Sequence, residues 1–336
     1  MEKKKTWLWV LIGLIVVALV GVGVFFFLNK DSKKDSKKED TKKEEKVDKE
    51  QAKPLLFKVT KDGSDTVMYL FGSIHMADDR AYPMRDEIMK AYEDSEYLAV
   101  EFDTVAYAKN TQQQMEDLKL LVYTDGTKIS DHFEKESYDA LVEYLTNNNS
   151  YSGVYDVYKP ALFYTLVTQV SANKSGLDPE KGIDAYFLNK AHKEDKKVLE
   201  VETSSFQYNL LASFSDRFYE AIIMASIVEE EEATNSLKSL YESWLKGDAE
   251  GIVKEDSDEL DDVDFTGYED VKDEIERFNN ELITKRNETM LKTVEGYFED
   301  GKNTFVVVGA AHIAGDEGLA KGMEKAGYKV ELVEYK

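Results

Sequence analysis

The sequence predicts an α/β domain: a central mixed β-sheet built from two strand–G-x-x-H–helix–strand units, divided by a large helical insertion and preceded by one transmembrane helix. Three observations carry this. "MYLFGSIHM" (Met68–Met76) and "FVVVGAAHI" (Phe305–Ile313) share one layout: an apolar run, a glycine, two small or apolar residues, then a histidine. Each is followed by a helical pattern and a second apolar run. Residues Trp7–Leu28 form an uncharged run of 22, long enough to cross a bilayer as a helix.

In chain order, residues 1–6 are a short basic N-terminus and 7–28 the span, with tryptophans at one end suited to the membrane interface. A cleavable signal peptide is the rival reading. Its apolar core would be shorter, and no A-x-A-like site follows, so an uncleaved anchor is expected. Residues 29–53 are almost entirely Lys, Asp, Glu and Ser and cannot bury enough apolar surface to offset ordering, so they are expected to form a disordered stalk. Residues 54–336 form the globular domain. The lysines after Leu28 argue for a cytoplasmic stalk, but long domains translocate largely regardless of charge and a short basic N-terminus stays inside. The expected placement is a single-pass protein of the cell membrane with the domain extracellular.

"LLFKVT" and "TVMYLFG" read as a hairpin closed by "KDGSD". "YPMRDEIMKAYEDSE" reads as a helix with Pro83 near its first turn, and "EYLAVEFD" as a strand ending in two acids. The middle is helical: roughly 134–147, 159–172, 179–192 with Asp178 as N-cap, and several helices from Gln207 to Phe298. Between them the strand "KKVLEVE" ends in Glu202. The C-terminus repeats the first unit, with Gly327 suited to cap its helix. Sites in such sheets form where strand carboxyl ends open. There stand His75, Glu101 with Asp103, Glu202 and His312.

The chain carries 43 Lys and Arg against 67 Asp and Glu, and the acid excess lies after residue 53. Nucleic-acid binding is excluded by sign, since the phosphate backbone demands basic surface. The absence of cysteine removes thiol catalysis, zinc-thiolate sites and disulfides.

Two imidazoles with a carboxylate are a common ligand set for a divalent metal that activates water or polarises a carbonyl. A lone strand-end histidine is ordinarily structural. Two copies of one frame, in a chain of four histidines, raise a shared site. The glycines Gly72 and Gly309 are expected to permit a sharp turn or close approach. A second signal is the helical stripe Leu282, Arg286, Met290, Val294, Phe298 at i+4 spacing. An arginine there must be paired or face a cavity. It is either a buried ion pair or an anchor for an anion or oxyanion.

"GSIH", "VEFD", "KGIDAYFLNKAHKEDKKVLEVETSSFQ", "KRNETM" and "FVVVGAAHIAGDEGL" together resemble the TraB/GumN family over nearly the whole domain. The chain is similar to the catalytic region of the Tiki metalloproteases, and more distantly to erythromycin-esterase-like and ChaN-like proteins. The resemblance implies a divalent-metal-dependent hydrolase, in Tiki an amino-terminal peptidase favouring manganese or cobalt; zinc would also suit the donors. It implies that His75, His312 and Glu101 belong to the site, with Arg286 and Asn287 beside it and Asp184 and Glu202 in support. The histidines would hold the metal, with Glu101 as third ligand or base. Arg286 would hold a substrate oxygen, and Asp184 and Glu202 would fix imidazole tautomers. Some bacterial relatives shut down a peptide pheromone.

His132 and His192 read as surface residues. "VEEEEATNS" and "EDSDELDDVDF" read as solvated acidic faces, since neither has the spacing of a calcium loop. Three functions remain in view: a membrane-anchored metallohydrolase acting on peptides or small molecules, a protein that binds peptides without turnover, and a metal-independent esterase with a histidine base.

Overall fold

The computed structural model describes residues 51–257 and 267–336. The predicted span 7–28 and all but the last three residues of the stalk lie outside them, as does most of the acidic stretch "EDSDELDDVDF". Residues 51–53, which composition assigns to the stalk, are docked on the domain. The Lys53 N–H donates to the Leu245 carbonyl at 2.7 Å, and Arg85 donates to the carbonyls of Ala52 and Gln51. Among the described residues, no helix is long and apolar enough to cross a membrane.

Six strands form one mixed sheet: β1 (Leu56–Thr60), β2 (Met68–Ser73), β3 (Tyr97–Val100), β4 (Lys197–Glu200), β5 (Thr304–Gly309) and β6 (Lys329–Leu332). Their order is β4-β3-β5-β2-β1-β6. β4, β3, β5 and β2 run parallel, and β1 is antiparallel to both β2 and β6. The β1–β2 hairpin forms as its turn chemistry predicts, with Gly63 at φ +80°. The two repeated units do not close on themselves. Their first strands, β2 and β5, pair with each other, while β3 joins β5 and β6 joins β1.

Among the described residues, the α-helices longer than one turn are α1 (Asp86–Asp94), α2 (Thr111–Leu120), α3 (Lys135–Asn147), α4 (Pro160–Ser175), α5 (Ile183–Lys193), α6 (Ser204–Ala212), α7 (Asp216–Val228), α8 (Glu230–Lys246), α9 (Ala249–Ser257), α10 (Lys272–Asn280), α11 (Arg286–Glu299) and α12 (Leu319–Lys325). Two helix starts differ from the sequence reading by several residues. Pro83 sits outside α1, in a cis peptide bond after Tyr82, and the helix begins three residues later. Pro179 opens a separate 3₁₀ turn capped by Asp178, and α5 starts only after Gly182.

The strand β5 is buried on both faces, as central parallel strands are. On one face Phe71, Phe305 and Val307 pack with Tyr92 of α1, Phe187 of α5 and Trp244 of α8. On the other, Leu70, Val306 and Val308 meet Met290, Val294 and Phe298 of α11 and Met323 of α12. Each large apolar side chain removed from water contributes about 1.5–3 kcal/mol. A third cluster fills the inserted helices, with Phe163 and Val167 of α4, Leu211 of α6 and Ile222 of α7. The sheet is therefore held rigid from both sides, and its carboxyl edge opens toward the insertion.

Candidate functional site

Because β2, β3, β4 and β5 are parallel, the residues just past their ends share one edge: His75, Glu101, Glu202 and His312. β2 and β5 pair with Ser73 opposite Gly309. After Gly309 the chain makes a short helical turn, Ala310–Ile313, directly over β2. A Cβ on Gly72 would stand 3.0 Å from the Ala310 Cα, so the turn could keep its close approach to an alanine there only by shifting slightly. Gly309 is not so constrained, since a Cβ there would meet nothing nearer than 3.5 Å. Its contribution is an N–H that donates to Glu101 Oε1 at 3.0 Å.

Arg286 opens α11 immediately after a π-helical turn, Glu281–Lys285, a local distortion found often at functional sites. Its stripe is buried as the i+4 spacing predicts. The guanidinium is fully buried and committed to acids: Nε donates to both oxygens of Glu202 at 3.0 Å, and Nη2 donates to Glu202 Oε2 and Glu101 Oε2 at 2.7 Å each. Of the two readings of this arginine, the geometry displays the buried ion pair. Glu202 likewise contacts Arg286 rather than an imidazole. Gln207 of α6 completes the cluster, its Nε2 donating to Glu202 at 3.1 Å and Glu101 at 3.3 Å.

His312 is buried, and its Nδ1 lies 2.7 Å from Asn287 Oδ1. The other end of that amide donates to the Glu317 carbonyl. Asn287, placed beside the site by the sequence, thus orients an imidazole. His75 is served differently. Gly182, just before α5, packs so tightly on the His75 backbone that a Cβ would lie 2.5 Å from its carbonyl oxygen, and Ile183 N–H donates to the Ile74 carbonyl. This brings Asp184 Oδ1 to 3.1 Å from His75 Nδ1. The pair is close in distance but poorly aligned, and neither atom forms a hydrogen bond. Ser73, His75, Glu101, Thr104 and Asp184 wall a cavity of about 20 Å³.

The charges follow from this packing. Burial opposes ionisation of Glu101, yet Arg286, His312, His75 and the Gly309 N–H outweigh it and hold the carboxyl far below its usual range. Burial, reinforced by Arg286, lowers the His312 pKa to about 3, so that ring is neutral. Burial also opposes the charge on His75, but Asp184 and Glu101 prevail and raise its pKa.

Two imidazoles and the Glu101 carboxylate are suitable donors for a divalent metal, and a ring whose second nitrogen is tied to an oxygen is the usual state of a metal-ligating histidine. His312 meets that condition. Among the described residues, however, no three His, Asp or Glu side chains gather closely enough to hold an ion, so closing the set requires one of them to move. The residues fit a metal in type but are not gathered around one point.

Two contributors escaped the sequence reading. Gln207 sits in "SSFQ" without a periodic signal, and Gly182 looks like an ordinary turn glycine. His192 keeps the partly exposed position expected of it, with its side chain 32% exposed, but it has a partner. Its Nε2 lies 2.9 and 2.7 Å from the two oxygens of Asp103. His132 is tied as well, stacked on Tyr123 at 4.1 Å and paired with Asp216 at 2.8 Å.

No curated protein and no solved structure matches this chain. Residues 55–332, the span that carries the sheet, both G-x-x-H frames and the Arg286 cluster, match the TraB/PrgY/gumN family, to which the chain belongs.

Proposed function

We propose that this chain is a divalent-metal-dependent hydrolase of peptides, or of small molecules with a comparable carbonyl group, anchored in the cell membrane by residues 7–28 with its domain outside. The observation that carries this is electrostatic. One guanidinium, Arg286, faces the carboxyl groups of Glu101, Glu202 and, across His75, Asp184. The two buried carboxyl groups outnumber the guanidinium that pairs them, an arrangement that favours a further cation.

His75, Glu101 and His312 are the residues that would hold the ion, with manganese or cobalt the first choices. When bound, it supplies Lewis acidity to a carbonyl and a lowered pKa to water. Asn287 keeps the proton of His312 on Nδ1 and leaves Nε2 as the donor nitrogen. Glu101 is pinned by Arg286 and the Gly309 N–H and held ionised, which suits a ligand better than a base. Asp184, 27% exposed at the cavity, is the carboxyl that Arg286 does not hold. Arg286 influences a substrate through Glu101.

A histidine-base esterase is disfavoured at His312, because a nitrogen with a pKa of about 3 is too weak a base near neutrality. Peptide capture without turnover is the second reading, favoured by the incompletely gathered ligand set. The test is metal content of the purified chain and of His75→Ala and His312→Ala, with a peptide mixture followed by mass spectrometry. A stoichiometric ion lost in both variants, and cleavage abolished by chelator and restored by manganese or cobalt, is the expected result. Binding without fragments in the metal-loaded chain establishes capture instead.

A further inference from the structure

We propose that Ser73 is a positioning residue of this site, whose hydroxyl seats one water against His75 and Asp184. The two G-x-x-H frames differ at the residue after glycine, Ser73 in one and Ala310 in the other. They differ correspondingly in how their imidazoles are held. His312 is fixed directly, by Asn287 at 2.7 Å. His75 is held less firmly: its Nδ1 and the facing Asp184 Oδ1 stand 3.1 Å apart, both buried, without a well-aligned hydrogen bond between them.

Ser73 is 2% exposed, and its Oγ is also buried without a partner. A buried hydroxyl left unsatisfied is unfavourable, so alanine would be the better residue unless something meets the oxygen. All three orphaned atoms belong to residues lining one cavity of about 20 Å³. A water needs roughly 10–15 Å³ and two to four polar partners. It would accept from His75 Nδ1–H, donate to Asp184 Oδ1 and exchange its remaining bond with Ser73. The imidazole of the first frame is then oriented through water, where the second is oriented by an amide.

This deepens the metallohydrolase reading, and only its kinetic arm rests on that reading. The chain has four histidines, so ¹⁵N-histidine labelling of the full chain gives four imidazole systems. Ser73→Ala should shift and broaden the His75 signals and leave those of His312 in place. A crystal structure of the chain should place one water within hydrogen-bonding distance of Ser73 Oγ and Asp184 Oδ1, absent from Ser73→Ala. In an active enzyme the variant should lower kcat about tenfold with KM unchanged, the low end of losses for residues that orient a ligand. Unchanged His75 signals, an empty or metal-filled cavity in the parent chain, a water that persists in Ser73→Ala, or an unchanged kcat would each overturn the assignment. Absence of turnover in the parent chain defeats the hydrolase reading, while spectroscopy and crystallography still decide the water.

Discussion

Asn287 Oδ1 stands 2.7 Å from His312 Nδ1, and the polarity of that contact is fixed from behind. The amide nitrogen donates to the Glu317 carbonyl at 2.8 Å, so the oxygen must face the ring and the ring nitrogen must carry the proton. Asn287→Asp replaces a neutral acceptor with a charged one. The His312 pKa, held at about 3, should rise, as a histidine NMR titration would read. Asn287→Leu removes the acceptor and should weaken metal affinity or activity by roughly 10–100-fold. An unchanged titration in the aspartate variant would show that the contact is not formed.

Arg286 should be the most destabilising single truncation in the site. Arg286→Met leaves Glu101 and Glu202 buried without their shared partner, a loss of about 3–5 kcal/mol for a broken buried pair. Arg286→Lys should recover little, because one ammonium cannot reproduce the bonds from Nε and Nη2. Adding Glu202→Gln to Arg286→Met should return part of the loss, since one uncompensated charge disappears. Urea unfolding of these variants and of Glu202→Gln alone measures this, and strictly additive losses would mean the residues do not act as a unit.

The two site histidines should give stability of opposite pH dependence in the metal-free chain. The folded pKa of His312 lies at about 3, below its ordinary 6.5. Its contribution is present above 6.5 and is lost as pH falls toward 3, because only the unfolded ring takes up a proton. His75 is raised above 6.5, so its contribution is present below that value and is lost as pH rises through the folded pKa. His312→Gln should flatten the acid limb of a stability–pH curve and His75→Gln the alkaline limb. Parallel changes in the two variants would contradict the assigned environments.

What the sequence displayed and what it concealed separate along one line. Signals local in the chain were legible: the continuous apolar run of β5, buried on both faces, the i+4 stripe through Arg286 and the repeated frame that brings His75 and His312 to one edge. Each is set by backbone geometry within a few residues. Partners were not, because they depend on how distant segments meet. Nothing near Arg286 names Glu101 and Glu202, and nothing near β6 says that it pairs with β1 rather than β5. His192 kept its partner hidden for the same reason. Its helix-end position is local, whereas Asp103 reaches it from the end of another strand.

Three glycines around the frames make a graded final test, because the space beside each differs. At Gly309 an added Cβ meets only ordinary contacts at 3.5 Å, so Gly309→Ala should change stability by less than about 1 kcal/mol. At Gly72 it meets the Ala310 Cα at 3.0 Å and Cβ at 3.1 Å, and the short turn bearing His312 would have to shift, costing about 1–3 kcal/mol. At Gly182 it would lie 2.5 Å from the His75 carbonyl oxygen, with Ile183 N–H already bonded to Ile74 in the same loop. Backbone cannot yield as a side chain tip can, so Gly182→Ala should be the worst of the three and should move His75 away from Asp184. Thermal unfolding ranks the variants, and the His75 imidazole signals report the displacement. A Gly182→Ala chain as stable as its parent, with the His75 signals unmoved, would mean that the segment before α5 does not press on the first frame.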